Sequence, residues 1–146
     1  HLSWSHAFLN FLGLLICCGI SPSSFGENIL RKILWLSASV STFIILFGTP
    51  SNIAYCGFSG VLYGLFVFTL WPHLHKNENG TRLVFIALTA MMAAQIALGP
   101  SELQEKFIQG KIISAAHAYG YCSAVAYILL TSLISRLKRK LQIDRT

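Results

Sequence analysis

The chain has 146 residues, 54% of them hydrophobic and 11% charged, with a mean hydropathy of +0.61. Water-soluble domains carry about a quarter charged residues, so this composition excludes an ordinary soluble domain and selects lipid as the solvent. The net charge of +6 does not mark a nucleic-acid binder, because Lys and Arg gather at the ends of apolar segments, as in membrane proteins.

A membrane-spanning helix needs roughly 20 mostly apolar residues, fewer where irregular backbone is shielded by protein. Five runs qualify, and they predict helices over 4–20, 30–47, 54–71, 83–98 and 112–137. Pro22, Gly48-Thr49-Pro50, Pro72, Asn79-Gly80 and Gly99-Pro100 interrupt them as helix breakers should. The expected architecture is an all-α membrane protein, a polytopic helical bundle forming a single domain over 1–146.

Positive charge sets the expected orientation. The C-terminal run holds Arg136, Lys138, Arg139, Lys140 and Arg145, the third connection holds Lys76 and Arg82, and the first holds Arg31 and Lys32. Placing these nine on the cytoplasmic side leaves Lys106 and Lys111 outside, offset there by Glu102 and Glu105. The C-terminus is therefore expected in the cytoplasm. Trp4 and Trp71 read as interfacial anchors at opposite faces. Cys17, Cys18, Cys56 and Cys122 show no zinc-site spacing; they read as small packing residues, with a Cys56–Cys122 bridge as the alternative. Neither a metal nor another cofactor is expected.

In this orientation the first, third and fifth predicted helices all begin on the outer side. His6 and Asn10 lie in the first turns of one, Ser59 near the start of the next, and His117 early in the last. At 1.5 Å per residue they share a layer roughly 5–10 Å below the outer face. Ser59 stands between Gly57 and Gly60 in "GFSGVLYG", after an uncharged, breaker-rich stretch. Such a stretch tolerates membrane depth only where it lines a cavity or is covered by protein. A helix N-terminus there favours developing negative charge, which suits a nucleophile; close helix packing through Gly60 and Gly64 is the alternative. His117, in "AAHAYG", is an ionisable residue within a span and a natural base for a serine hydroxyl. Ala115, Ala116 and Gly120 beside it are small enough to let the fifth helix approach the third. Tyr63, one turn beyond Ser59, is placed to stack on the imidazole, unless it is simply a core aromatic. His6 and Asn10 share one helix face at i, i+4 and, with the Ser59 backbone N–H, suit an oxyanion hole; polar contact between helices is their alternative. Gln95 reads as an interhelical hydrogen bond deep in the fourth helix. His73 and His75 read as solvated loop residues.

The stretches "HLSWSHAFLN", "GFSGVLYG" and "AAHAYG", in that order on membrane helices, resemble the rhomboid intramembrane serine proteases. The resemblance implies that the five helices correspond to the family's second to sixth, so that its first helix and the large loop after it lie outside this sequence. It makes Ser59 the nucleophile, His117 the base, His6 and Asn10 the oxyanion stabilisers and Tyr63 the stacked aromatic, with Gly57, Gly60 and Gly120 supporting them. One departure is Ala124, where many members carry a second Gly four residues after the Gly of the His motif. The stretches "YCGFSGVLYGLF" and "AHAYGYCSA" further resemble the rhombosortase branch, which implies a bacterial inner membrane and secreted substrates carrying a C-terminal Gly-Gly-containing anchor. The expected partners are thus a membrane-anchored protein with a helix-weak, Gly-rich segment and the bilayer, with no nucleic acid.

No Asp or Glu falls in any predicted span, so the expected machinery is a Ser–His dyad without an acidic third member. The segment "GPSELQEKFIQG", flanked by glycines, is expected to be a loop that lids the site. Two other readings compete. A catalytically silent rhomboid-like protein would bind membrane spans without cutting them, and a haem or metal protein would use His6 and His117 as ligands.

Overall fold

The computed structural model describes residues 3–22, 26, 28–48, 57–74 and 79–143. Among them are six helices: α1 (Trp4–Ile20), α2 (Ile29–Phe47), α3 (Ser59–Leu74), α4 (Asn79–Leu98), α5 (Glu102–Ile108) and α6 (Ser114–Ile143). Local chemistry explains most of their limits. Ser3 caps α1 through an Oγ that accepts the His6 N–H at 3.1 Å, and α1 ends at Ser21, just before Pro22. Gly48, at φ +69, closes α2 with its N–H on the Ile44 carbonyl at 2.8 Å.

Five boundaries differ from the sequence expectation by two residues or more. The third helix starts at Ser59 rather than 54, because Gly57 sits at φ +153, which a helix cannot pass through; residues 54–56 lie outside the described residues. Pro72 does not stop α3, which runs two residues past it to Leu74. Asn79 and Gly80 belong to α4 rather than preceding it. A first turn tolerates such residues because its N–H groups have no intrahelical partners to lose. The last helix spans 114–143 rather than 112–137, since charge excludes a segment from lipid but not from a helix. The connection over 99–113, expected as a loop, contains α5. That short helix closes on Gln109 at φ +55, whose N–H reaches the Lys106 carbonyl.

Among the described residues three helices are long and apolar enough to cross a membrane: Ile29–Phe47, Gly80–Leu98 and Ser114–Gln142. Trp4–Ile20 and Ser59–Leu74 are apolar but shorter. The short α3 is the hub, packed against α1, α2, α4 and α6. Ten of its sixteen residues are buried, which explains why it is apolar on every side. The packing is inside-out by the standards of a soluble protein. Phe8, Ile45, Leu46, Leu83, Ile86, Leu98, Leu129 and Leu130 face outward, while His6, Asn10, Thr69, Gln95 and His117 are buried. Polar groups hidden among helices with an apolar exterior are what a bilayer demands.

The closest approach is between α3 and α6. A Cβ built on Gly120 would lie 1.8 Å from the Gly60 carbonyl oxygen, and one on Gly64 would lie 2.8 Å from the Gly120 carbonyl. Glycine alone permits this backbone contact. Ala124, the departure noted from the family pattern, is fully buried beside the same core. Trp35 Nε1 donates to the Ser123 carbonyl at 3.1 Å, and Thr89 Oγ1 meets the Tyr121 hydroxyl at 2.9 Å, which fasten α2 and α4 to α6. Cys17, Cys18 and Cys122 are free thiols, and Cys17 packs in the core. Cys56, the other half of the bridge considered above, lies outside the described residues, as do His1 and His75.

Candidate active site

The depth coincidence read from the sequence has a direct structural counterpart. His6 is the third residue of α1, Ser59 the first of α3 and His117 the fourth of α6, so all three lie at the same end of the bundle. There α1, α3, α4, α5 and α6 enclose a cavity of about 760 Å³. His6, Asn10, Ser59, Tyr63, Gln95, Gln104, Lys111 and His117 supply its polar groups, and Leu12, Phe66, Met91 and Phe107 contribute to an apolar wall. A mainly apolar pocket with a few convergent polar groups is the usual form of a binding site.

Ser59 and His117 touch. His117 Nε2 lies 3.0 Å from Ser59 Oγ, a hydrogen-bonding distance. Their helices are held together by the Gly60–Gly120 crossing, one residue beyond Ser59 and one turn beyond His117. The Tyr63 ring stacks on the imidazole with centroids 4.4 Å apart and planes 10° from parallel. It fixes the ring from its face, as the stacked-aromatic expectation required. Ser59 also opens α3, with the Leu62 N–H bonded back to the Phe58 carbonyl at 2.9 Å. The positive end of the α3 dipole therefore faces the cavity beside the hydroxyl.

His6 and Asn10 are both buried and both line the cavity. A Cβ on Gly57 would sit 2.9 Å from His6 Cε1 and 3.1 Å from its Nε2, so the missing side chain leaves the space that the His6 ring uses. Asn10 Nδ2 donates to the His6 carbonyl at 3.0 Å, which ties the amide to its own helix. Gly57, Gly60 and Gly120 thus each serve close approach. Gly57 does so to the His6 ring, and the other two to each other.

Gln95 was misplaced by the sequence reading. It does form the interhelical hydrogen bond expected of it, but within the site. It is not deep in its helix but the fourth residue from the end of α4, which runs opposite to α1, α3 and α6. Its Oε1 lies 3.0 Å from His117 Nδ1, and its Nε2 donates to Gln104 Oε1 at 3.4 Å. Helix direction was the signal that could have found it, because an antiparallel helix brings its C-terminal residues to the level where its neighbours begin.

The lid segment is structured. Leu103, Gln104, Phe107 and Ile108 of α5 form part of the cavity lining. Ser3 Oγ and Ser5 Oγ, at the start of α1, each donate at 2.6 Å to the carbonyls of Ile108 and Phe107. Glu105 of α5 accepts the Ile112 N–H at 3.0 Å and pairs with Lys111 at 2.8 Å, both just beyond the helix. The Lys111 ammonium, and then the Ile112 N–H, hold the Glu105 carboxyl below its ordinary value. Among the described residues no three His, Cys, Asp or Glu side chains gather as a metal site would need.

A polytopic helical membrane protein with a serine and a histidine in contact inside a cavity at one end of the bundle belongs to a narrow class. The family model described as "Rhomboid domain" matches residues 1–134, and the chain belongs to the rhomboid family, whose members are intramembrane serine proteases. Neither a curated protein nor a solved structure matches the chain.

Proposed function

We propose that this protein is an intramembrane serine endopeptidase in which Ser59 is the nucleophile and His117 its general base. The observation that carries this reading is the 3.0 Å contact between Ser59 Oγ and His117 Nε2 within the cavity. As Ser59 Oγ attacks a peptide carbonyl carbon, its proton passes to Nε2. The oxyanion is met by the Ser59 backbone N–H at the α3 N-terminus and by the side chains of His6 and Asn10. The imidazolium then protonates the leaving amine, and the C–N bond breaks. Water, deprotonated by His117, releases the new carboxylate from the acyl-enzyme and restores the serine.

The length of α3 supports cleavage below the membrane surface. Sixteen residues span about 24 Å, against a hydrocarbon core of about 30 Å. Charge distribution favours the outer, periplasmic face of a bacterial inner membrane for the site, with the C-terminus cytoplasmic. A substrate helix arrives with its carbonyls hydrogen-bonded and must unwind before Ser59 can attack. Gly-rich segments unwind most cheaply, by about 1 kcal/mol per Gly relative to Ala. This agrees with the rhombosortase-like stretches around Ser59 and His117, and with a substrate held by a C-terminal Gly-Gly-type anchor.

Two assays test the reading. A fluorophosphonate probe should label Ser59 in the native protein, and neither Ser59→Ala nor His117→Ala should label. Liposomes carrying a Gly-Gly-anchored protein should show release of its soluble part by the native chain and not by Ser59→Ala. Labelling that persists in His117→Ala would remove the base from the mechanism. A native protein that never labels would favour a span-binding relative without catalysis.

A further inference from the structure

We infer that Gln95 is the positioning residue for His117, a neutral third member behind the Ser59–His117 pair; the inference rests on the protease reading above and deepens it. Four side chains, one from each of α3, α6, α4 and α5, run in sequence across the cavity end of the bundle. Ser59 Oγ is 3.0 Å from His117 Nε2, His117 Nδ1 is 3.0 Å from Gln95 Oε1, and Gln95 Nε2 is 3.4 Å from Gln104 Oε1.

The chemistry of each atom sets the direction of the chain. To accept the Ser59 proton, Nε2 must carry a lone pair, so the ring hydrogen must reside on Nδ1. An amide oxygen can only accept, so Gln95 Oε1 opposite Nδ1 selects that tautomer over the inert one. A flipped Gln95 would present its NH₂ to Nδ1 and select the wrong tautomer. With Gln104 oriented as it stands, its oxygen on the far side of the amide opposes that flip, because it would then face another oxygen. Tyr63 fixes the plane of the imidazole by stacking, and Gln95 fixes its rotation within that plane.

A neutral acceptor also suits the location. Gln95 and His117 are both more than nine-tenths buried in an apolar bundle, where an isolated carboxylate would be costly to hold. The amide dipole still faces the positive charge that develops on the ring during attack. It stabilises that charge less than an acid would, but nothing charged has to be buried while the site is empty.

The test compares native protein with Gln95→Met, which keeps the side-chain length without a strong acceptor, and with Gln95→Glu, which restores an acceptor. The limiting rate of fluorophosphonate labelling at Ser59 should fall by about 10–100-fold in Gln95→Met, the usual cost of removing an orienting partner. The probe concentration giving half the limiting rate should be unchanged, and Gln95→Glu should regain most of the loss. Imidazole-nitrogen NMR of histidine-labelled protein in micelles should show His117 as the Nδ1–H tautomer in the native chain and as a mixture in Gln95→Met. Should Gln95→Met fail to fold, Gln95→Asn, which withdraws the oxygen by one methylene, carries the same expectations. A native labelling rate together with an unchanged tautomer in the folded variant overturns the inference. The protease reading is tested separately, by whether native Ser59 labels at all.

Discussion

Replacing Gly120 by Ala should disable the site from a position that never meets substrate. The added Cβ would lie 1.8 Å from the Gly60 carbonyl oxygen and 2.7 Å from its carbon, and both neighbours are backbone that no rotamer change can move aside. Carrying that methyl out to an ordinary 3.4 Å contact parts α3 from α6 by about 1.6 Å. Ser59 precedes Gly60 directly and His117 lies one turn before Gly120, so the displacement falls on their 3.0 Å contact and takes it past the roughly 3.5 Å limit of a hydrogen bond. Overpacking of this kind costs about 1–3 kcal/mol of stability. A misplacement of about 1 Å between reacting groups costs on the order of 10²-fold in rate. The assay is fluorophosphonate labelling of Ser59 alongside thermal unfolding in detergent, with Gly19→Ala as the control because nothing lies within 4 Å of its Cβ. The control should label as the native chain does. A Gly120→Ala protein that folds and labels Ser59 at the native rate would refute the claim that this crossing sets the Ser59–His117 distance.

Three further outcomes are expected. Gly57→Ala forces a side chain onto backbone at φ +153 and onto the His6 ring at 2.9 Å, so it should forfeit part of the roughly 10²–10³-fold contributed by a single oxyanion donor, read as a slower limiting labelling rate in folded protein. Trp35→Phe removes the bond to the Ser123 carbonyl and should lower stability by about 1 kcal/mol in detergent unfolding, with labelling of Ser59 unaffected. Glu105 has a folded value below its ordinary 4.5, so the stabilisation it contributes is present above that pH and is lost as pH falls through the depressed value. Hydrogen exchange at Ile112, corrected for its intrinsic rate, should therefore speed up on acidification in the native chain. In Glu105→Gln it should change little with pH.

What the sequence made legible, and what it hid, follows from which interactions are local. The bounds of α1 were readable because Ser3 caps one end and Ser21-Pro22 stops the other, all within a few residues of the helix. The start of α3 was not, since the apolar run continues upstream and only the backbone angle at Gly57 ends the helix. Similarly, seven residues of α5 give too few turns for a periodic signal. Its place beneath the start of α1 depends on Ser3 and Ser5, about a hundred positions away in the chain. Ser59, His6, Asn10 and His117 could be brought together from the sequence because each stands near the start of a helix that runs the same way. Gln95 could not be found by that rule, since its helix runs the other way.

The same geometry explains why so polar a cluster can persist inside an apolar bundle. Five of its side chains have a neutral partner within reach: Ser59 and Gln95 lie on the two sides of His117, Gln104 lies behind Gln95, and the His6 carbonyl meets Asn10. A hydrogen-bonded, uncharged network avoids the penalty of several kcal/mol that an unpaired buried charge would impose. In the proposed reaction charge is needed only transiently, on the oxyanion formed from the substrate carbonyl and on the imidazolium. Fixed dipoles already face both positions, the α3 N-terminus for the first and the Gln95 amide oxygen for the second. The brevity of α3 is then more than a packing detail. A helix long enough to reach the membrane surface would lift Ser59 out of this network and into water, where an activated hydroxyl has no advantage over the solvent.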